Sequence, residues 1–353
     1  MKKVFFTLAM LCGAMMGNAQ VTDEQSAILQ NGDNAQIFYG EDALKDAMEA
    51  APDRGATITL SAGTFNACEI TKCVNIYGAG WVTDNTPKNN ENTADNSIRP
   101  TNITGRVDVN LPETLTPPHN IHLEGLRFNN GFNAVTTSEK TNIIDGLELV
   151  KCYITGDFGN NGVAFYETEH KNIQLIQCCL SVGKLCAFYD MTLENCYVGI
   201  GNNSIGHTTK AGNNLVFNHC LVNCGWYSSY GGHGPFVCLN STVWLADKEA
   251  NQIYRYCMMQ DEALDAGMLG STNNFFGINW EESFNDLGGF AYSDTRTYEL
   301  KTPDAYMGDD GTQIGINGGK YPWNKAPHTP VVKDLKLTIS GKQLKVDYQA
   351  ETR

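Results

Sequence analysis

The segment LENCYV at residues 193–198 is one of five similar stretches in the middle of the chain. Each stretch has an apolar residue, two mostly polar residues, Cys or Leu, any residue, and a second apolar residue. The copies are LEGLRF (123–128), LVKCYI (149–154), LIQCCL (175–180), LENCYV (193–198) and FNHCLV (217–222). An earlier copy is ITKCVNI at 70–76, and a later one spans 239–245 with Thr242 in the Cys column.

The spacing of these copies predicts a stacked repeat fold. The Cys column falls at positions 126, 152, 178, 196 and 220, so the steps are 26, 26, 18 and 24 residues. A period of roughly 18–26 residues with short strands indicates a solenoid. Leucine-rich repeats carry several leucines at fixed offsets, which these segments lack. The pattern therefore predicts a parallel β-helix, whose equivalent positions stack about 4.8 Å apart.

The Cys column is predicted to be a ladder of small buried hydrophobes. Alternate residues of a strand share one face, so the column and the apolar residue two positions later both point inward. Disulfides between neighbouring ladder cysteines and metal binding are the alternatives. The polar pair before Cys is predicted to form a bend, in which the amides of Gln177, Asn195 and Asn218 bond the neighbouring turn.

Composition and the N-terminus narrow the class of protein. The 353 residues carry 25 Lys plus Arg against 39 Asp plus Glu, a net charge of -14, which disfavours nucleic acid as a partner. Residues 1–19 have the charged start, apolar stretch and small-residue site of a signal peptide, with cleavage near Ala19–Gln20. The prediction is a secreted, periplasmic or cell-surface protein without membrane insertion, whose mature charge is more negative because Lys2 and Lys3 are removed.

The two ends of the repeat region show a family resemblance. An amphipathic helix at 40–51 is followed by TITLSAGTF (57–65) and ITKCVNIYGAGW (70–81). This opening resembles the pectate-lyase-like right-handed parallel β-helix superfamily, in which a helix caps the first turn. GTQIGINGGKYPW (311–323) resembles the closing segment of secreted β-helix proteins from Bacteroidetes. The resemblance implies an all-β, right-handed β-helix domain over 20–326, with a linker and C-terminal β appendage over 327–353.

The superfamily contains lyases, hydrolases, esterases and non-catalytic proteins, so its fold does not assign a function. The chain lacks the family's Asp clusters and its base beside a cation. A short motif occurs twice, as AFYE at 164–167 and AFYD at 187–190, and the two copies are expected to stack on neighbouring turns. Glu167 and Asp190 are then candidate catalytic carboxylates or calcium ligands. The alternative is a solvated strand edge with stacked tyrosines.

Exposed aromatic rings supply the candidate ligand-binding residues. The loop GWYSSYGGHG at 225–234 mixes glycine with rings that stack on sugar faces, or that cover an open side of the solenoid. The candidate ligand-binding residues are Tyr166, Tyr189, Trp226, Tyr227, Tyr230 and His233.

These features predict a secreted or cell-surface protein that binds a glycan along one face, without a recognisable catalytic constellation. A polysaccharide lyase or glycoside hydrolase is the alternative. The negative charge of the protein favours neutral glycans over anionic ones, unless calcium bridges the protein and an anionic glycan. No other cofactor and no protein-bound metal are expected.

Overall fold

The computed structural model describes residues 25–82, 100–134, 143–159, 170–185, 190–200, 214–224, 236–244, 252–263, 270–287, 290, 292–326, 331–340 and 343–351. Within these ranges the chain is predominantly β, with two long sheets whose strands are mostly parallel. This arrangement confirms the predicted β class and is compatible with a β-helix.

Sheet A has eleven strands. In spatial order they are β2 (Asn34–Tyr39), β1 (Ser26–Asn31), β3 (Arg54–Leu60), β5 (Cys73–Tyr77), β8 (Ile121–Glu124), β11 (Asp145–Val150), β13 (Lys171–Ile176), β15 (Asp190–Glu194), β17 (Asn214–Asn218), β19 (Phe236–Leu239) and β21 (Gln252–Arg255). The pairs β1–β2 and β1–β3 are antiparallel, and the pairs from β3 to β21 are parallel.

Sheet B also has eleven strands. In the order of the sequence, its strands fall between successive strands of sheet A. Its main path is β4 (Gly63–Asn66), β6 (Thr101–Thr104), β9 (Leu126–Phe128), β12 (Tyr153–Gly159), β14 (Cys179–Leu185), β16 (Tyr197–Ile200), β18 (Leu221–Cys224), β20 (Thr242–Val243) and β22 (Met258–Met259). Strand β7 (Val107–Val109) pairs with β10 (Phe132–Ala134), which pairs with β12.

We call one sheet A strand, the following bend and one sheet B strand a rung. The register keeps the repeat residues of successive rungs opposite one another, as Leu149 pairs with Leu123 and with Leu175. The apolar column that opens each copy is fully buried; its members are Leu123, Leu149, Leu175, Leu193 and Phe217. The sequence repeat is therefore a stack of strands with a shared apolar interior.

The Cys column is buried as predicted. Cys152, Cys178, Cys196 and Cys220 are completely inaccessible to solvent. No disulfide joins the nine cysteines whose side chains the structure describes. Burial raises the pKa of the Cys257 thiol, on a later rung, to about 12, which keeps this thiol protonated. These side chains are packing groups with a weak S–H donor.

Two assignments to the Cys column were wrong. Cys73 opens β5 in sheet A, whereas the equivalent position is Thr101, which pairs with Leu126. Thr242 pairs with Leu221, so Ser241 lies opposite Cys220. The hydroxyl of Ser241 donates to the carbonyls of Leu239 (2.6 Å) and Phe217 (3.4 Å), as each ladder thiol does to its own neighbours. The column accepts any small side chain that donates to these carbonyls.

We expect Cys196→Ser to lower the free energy of unfolding by only about 1 kcal/mol. The Cys196 thiol donates to the carbonyls of Glu194 (3.3 Å) and Leu175 (3.4 Å), and a hydroxyl replaces both bonds, as in Ser241. Urea denaturation measures the change. Cys196→Leu, which adds volume at a fully buried position, is the comparison and should lower the free energy of unfolding by more. Equal losses for the two variants would contradict this account of the column.

The residue before each ladder position has a left-handed backbone. Lys151, Gln177, Asn195, His219 and Asn240 have φ between 48° and 53° and are buried. This confirms the predicted bend. Asparagine tolerates the left-handed region better than most non-glycine residues, which suits Asn195 and Asn240 to this position.

The predicted amide bonding between neighbouring turns was mostly wrong. Asn240 Nδ2 does donate to Asn218 Oδ1 at 3.2 Å. Asn195 Nδ2 instead donates to the carbonyls of Ile316 (2.9 Å) and Gly318 (2.7 Å), and Gln177 Nε2 to that of Tyr321 (3.3 Å). These partners belong to a C-terminal segment that crosses the bends.

We call residues 306–326 the strap. It runs antiparallel to the order of the rungs, from Asn240 at its start to Lys151 at its end. Asp309 accepts from Asn240 Nδ2 (2.8 Å), Asp310 bonds His219 Nε2 (3.0 Å), and Ala326 accepts from Lys151 Nζ (2.5 Å). The bend column is therefore a docking edge for the strap.

A second apolar core covers the outer face of sheet B. Trp81 is fully buried, with ring centroids 5.4 Å from Tyr153, 5.6 Å from Tyr292 and 6.2 Å from Trp323. Helix α2 (Trp280–Ser283) and the strap contribute to this core, and the 3₁₀ turn Pro303–Ala305 lies on the surface just before the strap. Sheet B is thus buried on both faces along this region.

The N-terminal end carries helix α1 (Ala43–Ala50), which buries Ala43, Leu44, Ala47 and Met48 against the first strands. The predicted amphipathic helix is confirmed. At the other end β23 (Val331–Ser340) and β24 (Gln343–Glu351) form an antiparallel pair, in agreement with the β character predicted for this segment. Among the described residues, no helix has the length and apolar character needed to cross a membrane.

Candidate functional site

The outer face of sheet A carries a groove. The residue before each buried column residue points outward, so His122, Glu148, Gln174, Thr192 and Val216 follow one another across the sheet. The polar end of this row lines a groove of about 410 Å³. Its lining residues are Asn75, Tyr77, Asn120, Ile121, His122, Gly146, Leu147, Glu148, Asn172 and Gln174. We call it the His122 groove.

The imidazole of His122 lies between two carboxylates. Its Nδ1 is 2.6 Å from Glu148 Oε2, and its Nε2 is 3.3 Å from Glu124 Oε2. The Glu124 side chain is 5% exposed and that of Glu148 is 40% exposed, so one carboxylate is buried and the other faces the groove. The ring of Tyr77 lies beside the imidazole, with centroids 5.2 Å apart. Three neighbouring strands thus place four functional groups together.

This arrangement favours the imidazolium form of His122. Burial, the largest single influence, lowers the pKa of His122, but the hydrogen bonds and charges of Glu124 and Glu148 together outweigh it and raise the pKa above 6.5. For Tyr77, burial raises the pKa, and the charges of the same two carboxylates raise it further. Tyr77 therefore keeps its proton, which makes its hydroxyl available as a hydrogen-bond donor to a ligand.

We expect an NMR titration of wild-type His122 to give a pKa above 6.5, and Glu148→Gln to lower it. The pKa of His122 is higher in the folded protein than in the unfolded chain. The stability that protonation of His122 contributes is therefore fully present below pH 6.5 and is lost as the pH rises through the folded pKa. His122→Gln should remove this dependence from urea denaturation curves. A His122 pKa unchanged in Glu148→Gln would contradict the assignment of Glu148 as the main exposed partner.

The groove can bind a polar, uncharged ligand. Asn75 and Gln174 offer amide donors and acceptors, and Tyr77 offers a phenol beside an apolar ring. Glu148 accepts hydrogen bonds and repels anions. Among the described residues, no three His, Cys, Asp or Glu side chains form a group that could hold a metal ion.

Most of the sequence-predicted site residues lie outside the described residues. They are Tyr166, Glu167, Tyr189, Trp226, Tyr227, Tyr230 and His233. Asp190 is described and opens β15, where its Oδ1 accepts from Asn214 Nδ2 at 2.9 Å. Its pairing with Glu167 stays a prediction, as does calcium binding by that pair.

The residues of the His122 groove were not predicted, although the repeat contained the signal. The aligned column Leu123, Leu149 and Leu175 fixes which residues point inward. The preceding residues, His122, Glu148 and Gln174, then form an outward row, and a histidine beside a glutamate on adjacent rungs marks it. The repeat motif starts at the buried column, one residue after this outward row, and so does not include it.

Comparisons with protein-family models, with curated proteins and with solved structures each find no match.

Proposed function

We propose that the protein is a secreted right-handed parallel β-helix of the pectate-lyase-like type, which binds a neutral glycan in the His122 groove. The alternating strands of the two parallel sheets and the resemblance of residues 57–81 support the β-helix. The signal-like segment at 1–19 supports export, with a mature chain that begins near Gln20. N-terminal sequencing of the exported protein tests this cleavage site.

The observation that carries the proposal is the difference between the two sheets. The outer face of sheet B is covered by aromatic side chains and the strap, whereas sheet A carries a polar groove on its outer face. All described residues that line this groove belong to sheet A strands, except Asn120, which precedes β8. Several neighbouring rungs can therefore contact one extended ligand.

The chemistry of the groove favours a neutral sugar chain. Sugar hydroxyls need donors and acceptors together, which the amides, the phenol and Glu148 supply. A polyanion would meet Glu148 and a chain with a net charge of -14. Neutral glycans are therefore preferred over pectate-like polymers.

Calorimetric titration with a panel of neutral and acidic oligosaccharides tests the proposal. We expect a neutral glycan to bind, and Gln174→Ala to weaken it by roughly tenfold, the equivalent of about one lost hydrogen bond. Asn214→Ala is the matched control, since it removes an exposed amide from the same sheet two strands away. Equal weakening by both variants, or binding of acidic oligosaccharides alone, would reject the His122 groove as a neutral-glycan site.

A second candidate is a lyase or hydrolase acting in the same groove. The observation that favours it is the imidazole held between a buried and an exposed carboxylate beside a protonated Tyr77, which allows proton transfer to and from a sugar. Here the Glu148 carboxylate accepts a proton from the sugar, and the His122 imidazolium beside it supplies one to the departing oxygen. New reducing ends or unsaturated products that disappear in Glu148→Gln would support catalysis. Binding without turnover would support the first candidate.

A further inference from the structure

A larger groove lies among the last rungs, away from the His122 groove. Its volume is about 740 Å³. The lining residues are Trp244, Gln260, Glu262, Gly277, Ile278, Asn279, Trp280, Glu281, Phe284, Asn285, Asp286 and Leu287. We call it the tryptophan groove. Neither the repeat nor the proposed glycan site accounts for it.

The floor of the tryptophan groove is aromatic and held in place by packing. The indoles of Trp244 and Trp280 are nearly parallel, at 14°, with centroids 6.5 Å apart. The buried ring of Phe290 meets both edge-on, at 4.3 Å and 4.8 Å. Trp280 Nε1 donates to Gln260 Oε1 at 3.3 Å. Trp244 is only half-buried. The two π-systems are thus preorganised beside an open space.

The rim of the groove is acidic. Glu262, Glu281 and Asp286 are exposed, and no Lys, Arg or His is present among the described lining residues. Two cations do reach this region. Arg296 Nε lies 3.3 Å from Asp286 Oδ1, and Lys301 Nζ donates to the main-chain carbonyl of Glu281 at 2.7 Å. The groove therefore has three carboxylates, those of Glu262, Glu281 and Asp286, against these two cations.

We propose that the tryptophan groove binds a small organic cation, an alkylammonium ion with an apolar body. Tryptophan is the best aromatic partner for a cation, and desolvated cation–π contacts are stronger than exposed ones. The carboxylates of the rim add Coulomb attraction, and the apolar floor accepts the alkyl groups. A neutral ligand gains only the contact of its alkyl groups with the apolar floor. The site is independent of the proposed glycan site.

Calorimetric titration of the full chain with choline and with its neutral isostere 3,3-dimethylbutan-1-ol tests the proposal. The two ligands share shape and differ in charge. We expect choline to bind at least about tenfold more tightly, which corresponds to a contribution of about 1.4 kcal/mol from the charge. Added salt should weaken choline binding and leave the alcohol unaffected. Equal affinities, or no binding of choline at millimolar concentrations, would overturn the proposal.

Variants locate the site. The double variant Glu262→Gln/Glu281→Gln should lower the affinity for choline about fivefold or more without changing that for the alcohol. The control Glu113→Gln/Glu69→Gln makes the same change of charge elsewhere and should change neither. Trp244→Leu should weaken both ligands, with folding checked by circular dichroism. Choline binding that survives in both the Glu262→Gln/Glu281→Gln and Trp244→Leu proteins would reject this groove as the cation site.

Discussion

Asn195→Val is expected to lower the free energy of unfolding by about 4 kcal/mol. The side chain is 2% exposed and donates to the carbonyls of Ile316 and Gly318. Valine leaves both carbonyls without this donor, at about 1–3 kcal/mol for each buried acceptor. It also places a β-branched residue at φ 52°, which costs about 1–2 kcal/mol. Urea denaturation of the purified protein measures the sum.

Asn195→Gly separates the two contributions. Glycine adopts the left-handed backbone without strain but cannot donate to the strap. We expect it to lower the free energy of unfolding by about 2–3 kcal/mol, less than valine does. Limited proteolysis should cut the strap faster in both variants. A glycine variant as stable as wild type would show that the bonds between Asn195 and the strap contribute nothing.

Acidification from pH 6.5 to pH 4 is expected to remove about 3 kcal/mol of stability through His170 alone. Burial lowers the pKa of His170 from 6.5 to about 4. The side chain is 2% exposed, and its Nδ1 accepts a hydrogen bond from the main-chain N–H of Ile144 at 2.9 Å. Within this pH window the unfolded chain binds a proton at His170 and the folded chain does not. Stability is therefore present above pH 6.5 and is lost as the pH falls.

His170→Asn is the matched variant, because an amide oxygen can accept the bond from Ile144 and does not titrate. We expect it to be less stable than wild type at pH 7, since it leaves space in the core, and to show a smaller loss between pH 6.5 and pH 4. Denaturation at several pH values gives both slopes. Parallel slopes for the two proteins would contradict the assignment, because the shared carboxylates titrate in both.

The interior of the stack could be predicted from the sequence because burial constrains it strongly. The columns through Leu123 and Cys152 repeat apolar or small residues from rung to rung. In the structure the strand register places these residues opposite one another. The same motif misplaced Cys73, since an apolar-x-x-Cys pattern does not state whether Cys lies within a sheet A strand or after the bend. It misplaced Thr242 because the ladder position of that rung holds Ser241, whose hydroxyl donates to the equivalent carbonyls, and the motif specified only Cys or Leu there.

The exterior could be predicted less well because fewer constraints act on it. His122 and Glu148 meet because they are 26 residues apart, one rung, and only the inward columns reveal that register. The strap has no periodicity, and its contacts with Asn195 bridge more than 120 residues. The bend amides were therefore assigned to their neighbours rather than to it. The tryptophan groove likewise joins residues from several separate segments.

The strap also bears on the order in which the chain folds. Rungs can pair as soon as the next one has left the ribosome, because their contacts are between near neighbours. The strap instead contacts Lys151, Gln177 and Asn195 across 121–175 residues. During synthesis those polar bends stay exposed to water until residues 306–326 leave the ribosome. Strap docking is thus a late, high-contact-order step, and the nascent stack is vulnerable to proteases and to edge pairing until it is complete.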